Sequence, residues 1–242
     1  MTDPVRLARR VVEITGCTRS EAERYVQGGW VTVDGVVVEA PQHPVTTENV
    51  ALLPDARPDP AEPATMLLHK PAGYDPDPGP GANPAEALLV PENRWADDPS
   101  GWRLLQRHFP RLQPAMPLPA EASGLMVFSQ DGRVLQKLKQ DGERIEQEFN
   151  VEVEGELAPY GWKRLTGGTS FQGWPVAPFR VSWQSEQRLR FAIKGVRPGL
   201  LEYLCAEVGL KATAVHRLRI GRVGLSKMPV GQWRYLPVLE RF

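Results

Sequence analysis

The chain has 242 residues and a hydrophobic content of 41%, enough to bury one sizeable core and to form a small second domain. No segment approaches the roughly 18 to 20 consecutive apolar residues that cross a bilayer, and the N-terminus lacks the features of a secretory signal. We therefore expect a cytoplasmic protein with no membrane partner. Its 29 basic and 29 acidic residues balance, so net charge alone does not indicate a nucleic-acid partner.

The N-terminal segment has the pattern of two short helices. Residues Val5 to Ile14 alternate apolar and charged side chains with helical spacing. The sequence Thr18-Arg19-Ser20-Glu21 has the spacing of a capping box, which predicts a helix that starts there and stops at the glycine pair that follows Gln27.

A β-hairpin is predicted next. Two β-branched segments, Val31 to Val33 and Val36 to Val38, flank Asp34-Gly35, a dipeptide that favours a type I′ turn. A further short strand is predicted from Asn49 to Leu53.

The segment Asp55 to Pro63 contains three prolines and three acids, and it has no large apolar residue that could join a core. It predicts a linker over residues 55–64, between a domain over residues 1–54 and a domain over residues 65–242. In the second domain, strand-like and helical segments alternate in a way that predicts an α+β fold with a mainly antiparallel sheet. Tyr74 to Pro84 is predicted to be a loop.

Few residues suggest metal or covalent chemistry. The cysteines, Cys17 and Cys205, lie in different predicted domains and are interpreted as unreactive core residues. Neither these nor the four histidines have metal-ligand spacing, so no metal and no cofactor are expected; the histidines are His43, His69, His108 and His216. Ser123 has no base beside it in the sequence, which argues against a serine hydrolase. We expect a monomer.

The first 54 residues resemble an αL-type RNA-binding motif that occurs in a ribosomal small-subunit protein. The match is carried by the stretch RLARRVVEITGCTRSEAERYVQGGWVTVDG. The resemblance implies that structured RNA is bound by Arg6, Arg9, Arg19, Ser20 and Arg24. Arginines on a helix face and at a helix N-terminus suit this role, because guanidinium groups make charge-assisted, bidentate contacts with phosphate. The alternative is an ordinary charged surface, since the segment holds more acids than bases.

Four later segments occur in a characteristic order: MLLHKPAGY (66–74), ASGLMVFSQDG (122–132), FNVEVEG (149–155) and a long tail (206–234). Together they resemble the RsuA-like family of ribosomal RNA pseudouridine synthases (the RsuA, RluB, RluE and RluF types). The resemblance implies a pseudouridine-synthase-like second domain, no cofactor, and ribosomal RNA or a ribosomal particle as the partner. The tail is also basic, with seven basic residues and one acid between Leu210 and Phe242.

The residue that performs this family's chemistry is missing. The family uses one carboxylate, at the end of a Gly-Arg-Leu-Asp motif, on a uridine flipped into a pocket. Four residues before Ser-Gly-Leu, this chain has Met116-Pro117-Leu118-Pro119, so proline stands where the resemblance places the aspartate. Proline has no ionisable group. The nearest acid, Glu121, is a weak alternative, because two residues of extended chain displace a side chain by roughly 6.6 Å.

Other positions of the family's pocket also differ. An arginine-rich helix, which in the family pairs with the aspartate, appears here as residues 199–204, with Glu202 in place of an arginine. Loss of one member of a buried ion pair is strongly destabilising, because the other charge is left without a partner. Joint loss of the aspartate and its arginine is therefore typical of a folded but non-catalytic relative. The family's stacking tyrosine appears as Phe149, a base-stacking or a core residue. Lys70 is either a phosphate contact or a turn residue.

These features lead to two hypotheses. The first is a catalytically inactive homologue that binds ribosomal RNA or a ribosome precursor, as a chaperone, an assembly factor or a regulatory factor. The second is an active pseudouridine synthase with a relocated acid such as Glu121.

Overall fold

The computed structural model describes residues 3–76, 79 and 83–242. The chain forms two compact units. Unit 1 comprises Met1–Pro63 and Arg103–Pro110, and unit 2 comprises Ala64–Trp102 and Arg111–Phe242. Part of the loop predicted from Tyr74 to Pro84, namely residues 77, 78 and 80–82, lies outside the described residues.

Unit 1 is built from two helices and five short strands. The elements are β1 (Val5–Arg6), α1 (Leu7–Thr15), α2 (Arg19–Gln27), β2 (Val31–Val33), β3 (Val36–Val37), β4 (Pro44–Val45) and β5 (Val50–Leu52). Strands β3, β2 and β5 form one antiparallel sheet, and β1 pairs with β4. The predicted helices, hairpin and third strand are all present, with small shifts at their ends.

The start of α2 confirms the predicted capping box. The Thr18 hydroxyl accepts a hydrogen bond from the Glu21 amide at 3.3 Å, and the Glu21 carboxylate accepts one from the Thr18 amide at 2.8 Å. These bonds satisfy amide groups that have no partner within a helix. The contact with Thr18 also lowers the pKa of Glu21.

The hairpin turn has the backbone that its sequence predicts. Asp34 and Gly35 both have positive φ angles, 49° and 82°, as a type I′ turn requires. The Asp34 carboxylate accepts a hydrogen bond from the Asn49 amide at 2.8 Å, which ties the turn to the third strand.

The segment Arg103–Pro110 packs within unit 1 although it is distant in sequence. The Arg103 guanidinium lies 4.0 Å from the centroid of the Trp30 ring and donates a hydrogen bond to the Gly29 carbonyl at 2.7 Å. The Gln106 amide donates to the Glu39 carboxylate at 2.9 Å. The segment contains a short 3₁₀ turn, Gln106–His108.

Unit 2 contains a nine-stranded sheet. The strands are β6 (Thr65–Lys70), β7 (Gln113–Ala115), β8 (Ser123–Ser129), β9 (Gln147–Gly155), β12 (Arg180–Ser185), β13 (Arg188–Ile193), β14 (Leu210–Ile220), β15 (Val223–Gly224) and β16 (Trp233–Tyr235). Their main order is β12-β13-β9-β14-β8-β6-β16. Among the strand pairs of this sheet in the described residues, only β14 with β8 is parallel, so the prediction of a mainly antiparallel α+β fold is confirmed.

Three helices and a separate hairpin complete unit 2. The helices are α3 (Gly132–Asp141), α4 (Gly161–Thr166) and α5 (Leu200–Ala206), and the hairpin strands are β10 (Ser170–Phe171) and β11 (Trp174–Pro175). Short 3₁₀ turns cover Ala85–Leu88 and Pro91–Asn93. Buried side chains of α5 pack with those of β9 and β13, and Leu138 of α3 packs with β6 and β8.

A glycine allows the parallel contact between β8 and β14. Gly124 has a φ of 110°, and a β-carbon built on it would lie 2.2 Å from the Arg217 carbonyl oxygen. Only glycine permits both this backbone angle and this approach. The Ser-Gly-Leu sequence therefore fixes the point where two strands of the candidate site meet.

Candidate nucleic-acid interface and pocket

Unit 1 carries a groove lined by three of the predicted RNA-binding arginines. Arg6, Arg9 and Arg19 line one cavity of about 530 Å³, and all three are exposed. Two make surface ion pairs along their own helices, Arg9 with Glu13 at 3.3 Å and Arg19 with Glu23 at 2.9 Å.

The other two predicted positions in this unit, Ser20 and Arg24, are exposed on α2. They are not among the described residues that line the groove. The structure thus brings together three of the five predicted positions.

Unit 2 contains a cavity of about 320 Å³ beside the sheet. It is bounded by the loop before β8, the C-terminal end of α3, strands β9 and β14, and the start of α5. Its charged lining residues are Lys139, Glu143, Arg197, Glu202 and Arg217.

The loop that replaces the family's aspartate forms one wall of this cavity. Met116, Pro117, Leu118 and Pro119 all line it. Leu118 is buried in the core, whereas Pro117 and Pro119 are exposed at the cavity wall. The Pro119 carbonyl accepts a hydrogen bond from the Ala122 amide at 3.2 Å, which closes a turn. The wall therefore presents pyrrolidine rings and contains no acid at this point.

Arg217 is a buried cation at the cavity. Its guanidinium donates to the Leu125 carbonyl at 2.8 Å, to the Met116 carbonyl at 2.6 Å and to the Gln147 side-chain oxygen at 3.0 Å. Among the described residues, no carboxylate lies within ion-pair distance of it. Burial lowers the pKa of Arg217 from its usual value. Neutral acceptors thus hold this charge.

The acids at the cavity are not the one that sequence analysis selected. Glu121 is exposed and is not among the described lining residues. The carboxylates that do line the cavity are those of Glu143 and Glu202, and both residues are exposed. Sequence analysis missed Glu143 as a site residue because it lies in the turn after α3, remote in sequence from the loop.

Phe149 occupies two environments at once. It is 2% exposed and packs in the core of unit 2, and it also lines the cavity. Both readings of the sequence therefore remain compatible with its position.

Lys70 is not placed where it could contact phosphate, which corrects that part of the expectation. It is fully buried, and its ammonium group donates to the carbonyls of Pro71 at 3.1 Å, Tyr74 at 2.8 Å and Ala120 at 3.3 Å. Burial lowers its pKa to about 8, although Asp75 and Glu121 oppose this effect. Lys70 thus joins the turn after β6 to the loop beside the cavity.

A histidine lies beside Ser123 in space, although no base lies beside it in the sequence. The Ser123 hydroxyl is 2.8 Å from Nδ1 of His216, across the parallel strands β8 and β14. The ring of His69 lies 5.1 Å from that of His216. Burial lowers the pKa of both histidines. Neither Ser123 nor His216 is among the described residues lining the cavity.

Several basic residues of the tail are buried or ion-paired. Arg217 and Arg234 are almost fully buried, and Arg219 pairs with Glu146 at 2.8 Å and Glu148 at 3.1 Å.

Within the described residues, no group of three or more potential metal ligands occurs. No helix in the described part of the chain is long and apolar enough to cross a membrane.

The chain is similar to known proteins over most of its length. The S4 domain family matches residues 5–50. The chain is 23% identical to an uncharacterized RNA pseudouridine synthase of Aquifex aeolicus (strain VF5), over 96% of this chain and 92% of the relative. It is 24% identical to ribosomal small subunit pseudouridine synthase A of Escherichia coli (strain K12), over 96% of each. A crystal structure of a pseudouridylate synthase superposes with a TM-score of 0.60, at 18% identity and 96% coverage of both chains.

The chain has an N-terminal S4 domain followed by a second domain with the pseudouridine synthase fold. The groove of Arg6, Arg9 and Arg19 therefore lies on the S4 domain, and the 320 Å³ cavity lies in the pseudouridine synthase fold. The dual-specificity RNA pseudouridine synthase RluF of Escherichia coli (strain K12) is a longer relative, of which the chain covers 75% at 23% identity.

Proposed function

We propose that this protein binds ribosomal RNA or a ribosome precursor and does not catalyse uridine isomerisation. It acts in the cytoplasm as a monomer, without a metal or a cofactor, as a chaperone, an assembly factor or a regulatory factor. The observation that carries this proposal is the cavity wall at Pro119, beside a buried Arg217 that is held by neutral acceptors.

RNA binding is supported by the S4 domain and by its exposed arginines. The groove between α1 and the start of α2 has three guanidinium groups on one surface. Their ion pairs with Glu13 and Glu23 are exposed, and such pairs contribute only about 0 to 1 kcal/mol, so phosphate can displace them at little cost. Relatives named as ribosomal large subunit and ribosomal small subunit pseudouridine synthases support the ribosome, and thus its RNA, as the partner.

The absence of catalysis is supported by the chemistry of the cavity. Breaking and remaking a glycosidic bond needs a carboxylate held in place at the flipped uridine. The loop offers Pro117 and Pro119 instead, and neither can ionise. A buried guanidinium without partners would be costly, but Arg217 donates to two backbone carbonyls and an amide oxygen. This arrangement is self-consistent without an aspartate.

An active synthase with a relocated acid is the second candidate. The structure favours Glu202 or Glu143 over Glu121 for that role, because only the first two line the cavity. Both are solvent-exposed, which leaves their side chains less precisely held than a catalytic group requires. We therefore rank this candidate second.

The test is a map of pseudouridines in ribosomal RNA and its precursors from cells with and without the gene. The proposal predicts identical maps, together with ultraviolet crosslinks from the protein to ribosomal RNA. The triple variant Arg6→Gln/Arg9→Gln/Arg19→Gln should lose the crosslinks. A pseudouridine that disappears on deletion, and returns with the wild-type gene but not with Glu202→Gln or Glu143→Gln, would establish the second candidate instead.

A further inference from the structure

An exposed tryptophan stands on a tight hairpin in unit 2. Strands β10 and β11 are joined by Gln172 and Gly173, whose φ angles of 51° and 80° belong to a rigid two-residue turn. Trp174 follows this turn and is 61% exposed. An indole held in water by an ordered turn contributes little to the core, so its position suggests contact with another molecule.

Trp174 has a cationic neighbour. The Arg197 guanidinium carbon lies 5.0 Å from the centroid of the indole ring. Trp174 and Arg197 line a cavity of about 220 Å³. Lys194 also lines it, and Phe171 and Val176 form its apolar walls. Aromatic faces beside guanidinium and ammonium groups are the pattern that binds single-stranded nucleic acid, because the base stacks and the cation contacts the phosphate.

The charge on Arg197 is available to a ligand. Its ion pair with Glu143 is long, at 3.8 Å, and the two side chains are 38% and 83% exposed. Such an exposed pair is weak and is screened by salt, so a phosphate can compete with Glu143 for the guanidinium.

The cavity beside Trp174 adjoins the 320 Å³ cavity of unit 2, called the main cavity below. Glu143, Gly195 and Arg197 line both. If an RNA strand placed one base in the main cavity, its next phosphate would therefore pass Arg197 and its next base would lie near Trp174.

We propose that Trp174 is a stacking platform for a nucleotide adjacent to the one in the main cavity, with Arg197 and Lys194 binding the phosphate between them. The ligand class is single-stranded RNA. The inference rests on the proposed RNA binding and adds a second nucleotide site to it. Because every base has a π-face, this site tolerates sequence variation and extends the footprint beyond one uridine.

The probe is a fluorescein-labelled oligouridylate of about nine nucleotides, within the usual length range of single-strand sites, bound to the whole protein at low salt. Trp174→Ala should weaken binding roughly 5- to 150-fold, the loss expected for one stacked base. Trp174→Phe keeps a stacking ring and should stay within about 3-fold of wild type. Trp183→Ala, at a tryptophan that is 39% exposed on β12, is the matched control and should bind as wild type.

Two further readouts locate the contact. Arg197→Gln should flatten the slope of log affinity against log salt by about 0.7, the value for one phosphate of a single strand. An oligouridylate that carries 4-thiouridine should crosslink to the tryptic peptide of residues 165–180, which contains Trp174.

The outcomes separate this inference from the proposed function. If structured ribosomal RNA binds through the S4 arginines but Trp174→Ala binds oligouridylate as wild type does, the second site is wrong and the proposed function stands. If wild type binds neither RNA, the proposed function fails and takes the second site with it. If the wild type forms a dimer that Trp174→Ala abolishes, and the two proteins bind oligouridylate equally, this face binds a second copy of the chain and the inference is overturned.

Discussion

Replacing Arg6, Arg9 and Arg19 together by glutamine is expected to weaken binding of structured RNA and to reduce its salt dependence. All three side chains are exposed and line one groove of the S4 domain. Each phosphate contact contributes about 0.9 to the slope of log affinity against log salt, so three lost contacts flatten the slope by about 2.7. Near 0.1 M salt, the same contacts correspond to a loss of affinity of roughly 100- to 1,000-fold.

The existing ion pairs reduce this loss only slightly. Arg9 and Arg19 have side chains that are 73% and 75% exposed, and each pairs with a glutamate one helical turn away. Helix pairs of this kind contribute about 0.3 to 0.5 kcal/mol, so freeing both costs less than a tenfold change in affinity. The same small values mean that the triple variant should stay folded.

The assay is fluorescence anisotropy with a labelled junction fragment of ribosomal RNA across a salt series. The matched control is Arg133→Gln/Arg180→Gln/Arg188→Gln, which removes three exposed, ion-paired arginines from unit 2 and changes the net charge equally. The control should keep most of the affinity and the slope. Equal losses in the two triple variants would show that overall charge, and not the groove, binds RNA.

Three further predictions concern unit 2. Pro119→Asp alone should give no turnover in a pseudouridine assay, because the new carboxylate would lie at an exposed position while Arg217 is already bound to three acceptors. Gly124→Ala should destabilise the protein by about 3 kcal/mol or more in urea unfolding, whereas Gly73→Ala, at positive φ but with open space around it, should cost about 1 kcal/mol. Equal costs would contradict the close approach of β8 and β14. The free energy of unfolding should also fall as the pH drops below 6.5. Burial lowers the pKa of His69 in the folded protein, so the unfolded chain binds more protons in this pH range, and His69→Asn should flatten the fall.

Local patterns in the sequence predicted local structure well. The capping box at Thr18 and the turn at Asp34-Gly35 involve residues within a few positions of each other, and both form as expected. The mainly antiparallel sheet followed from the spacing of apolar segments. These features depend on backbone angles and side-chain periodicity, which neighbouring residues determine.

Features that depend on distant parts of the chain were missed. The contact of Ser123 with His216 joins residues 93 positions apart and requires the register of two parallel strands. The packing of Arg103 on Trp30 likewise spans two separate segments of unit 1. Lys70 has a sequence context typical of a turn. Its carbonyl partners Pro71 and Tyr74 are local, but the third, Ala120, lies 50 positions away and was not predicted.

The candidate site was predicted in part. The absence of an acid at Pro119 was visible in the sequence, whereas the acids that line the cavity, Glu143 and Glu202, were not recognised as a pair. They approach one cavity only because α3, the turn after it and α5 converge beside β9. Trp174 was also not singled out, because a two-residue hairpin such as β10–β11 leaves almost no periodic signal.

The most direct test of the central claim is tritium release from ribosomal RNA labelled at carbon five of uridine, with the purified wild-type protein. Free RNA and ribosomal precursor particles should both be used as substrates, with an active pseudouridine synthase assayed in parallel. We expect release at the level of a protein-free blank, because Pro119 leaves the cavity without a positioned carboxylate. Release above the blank that Glu202→Gln or Glu143→Gln abolishes would show that another acid performs the reaction, and it would contradict the account.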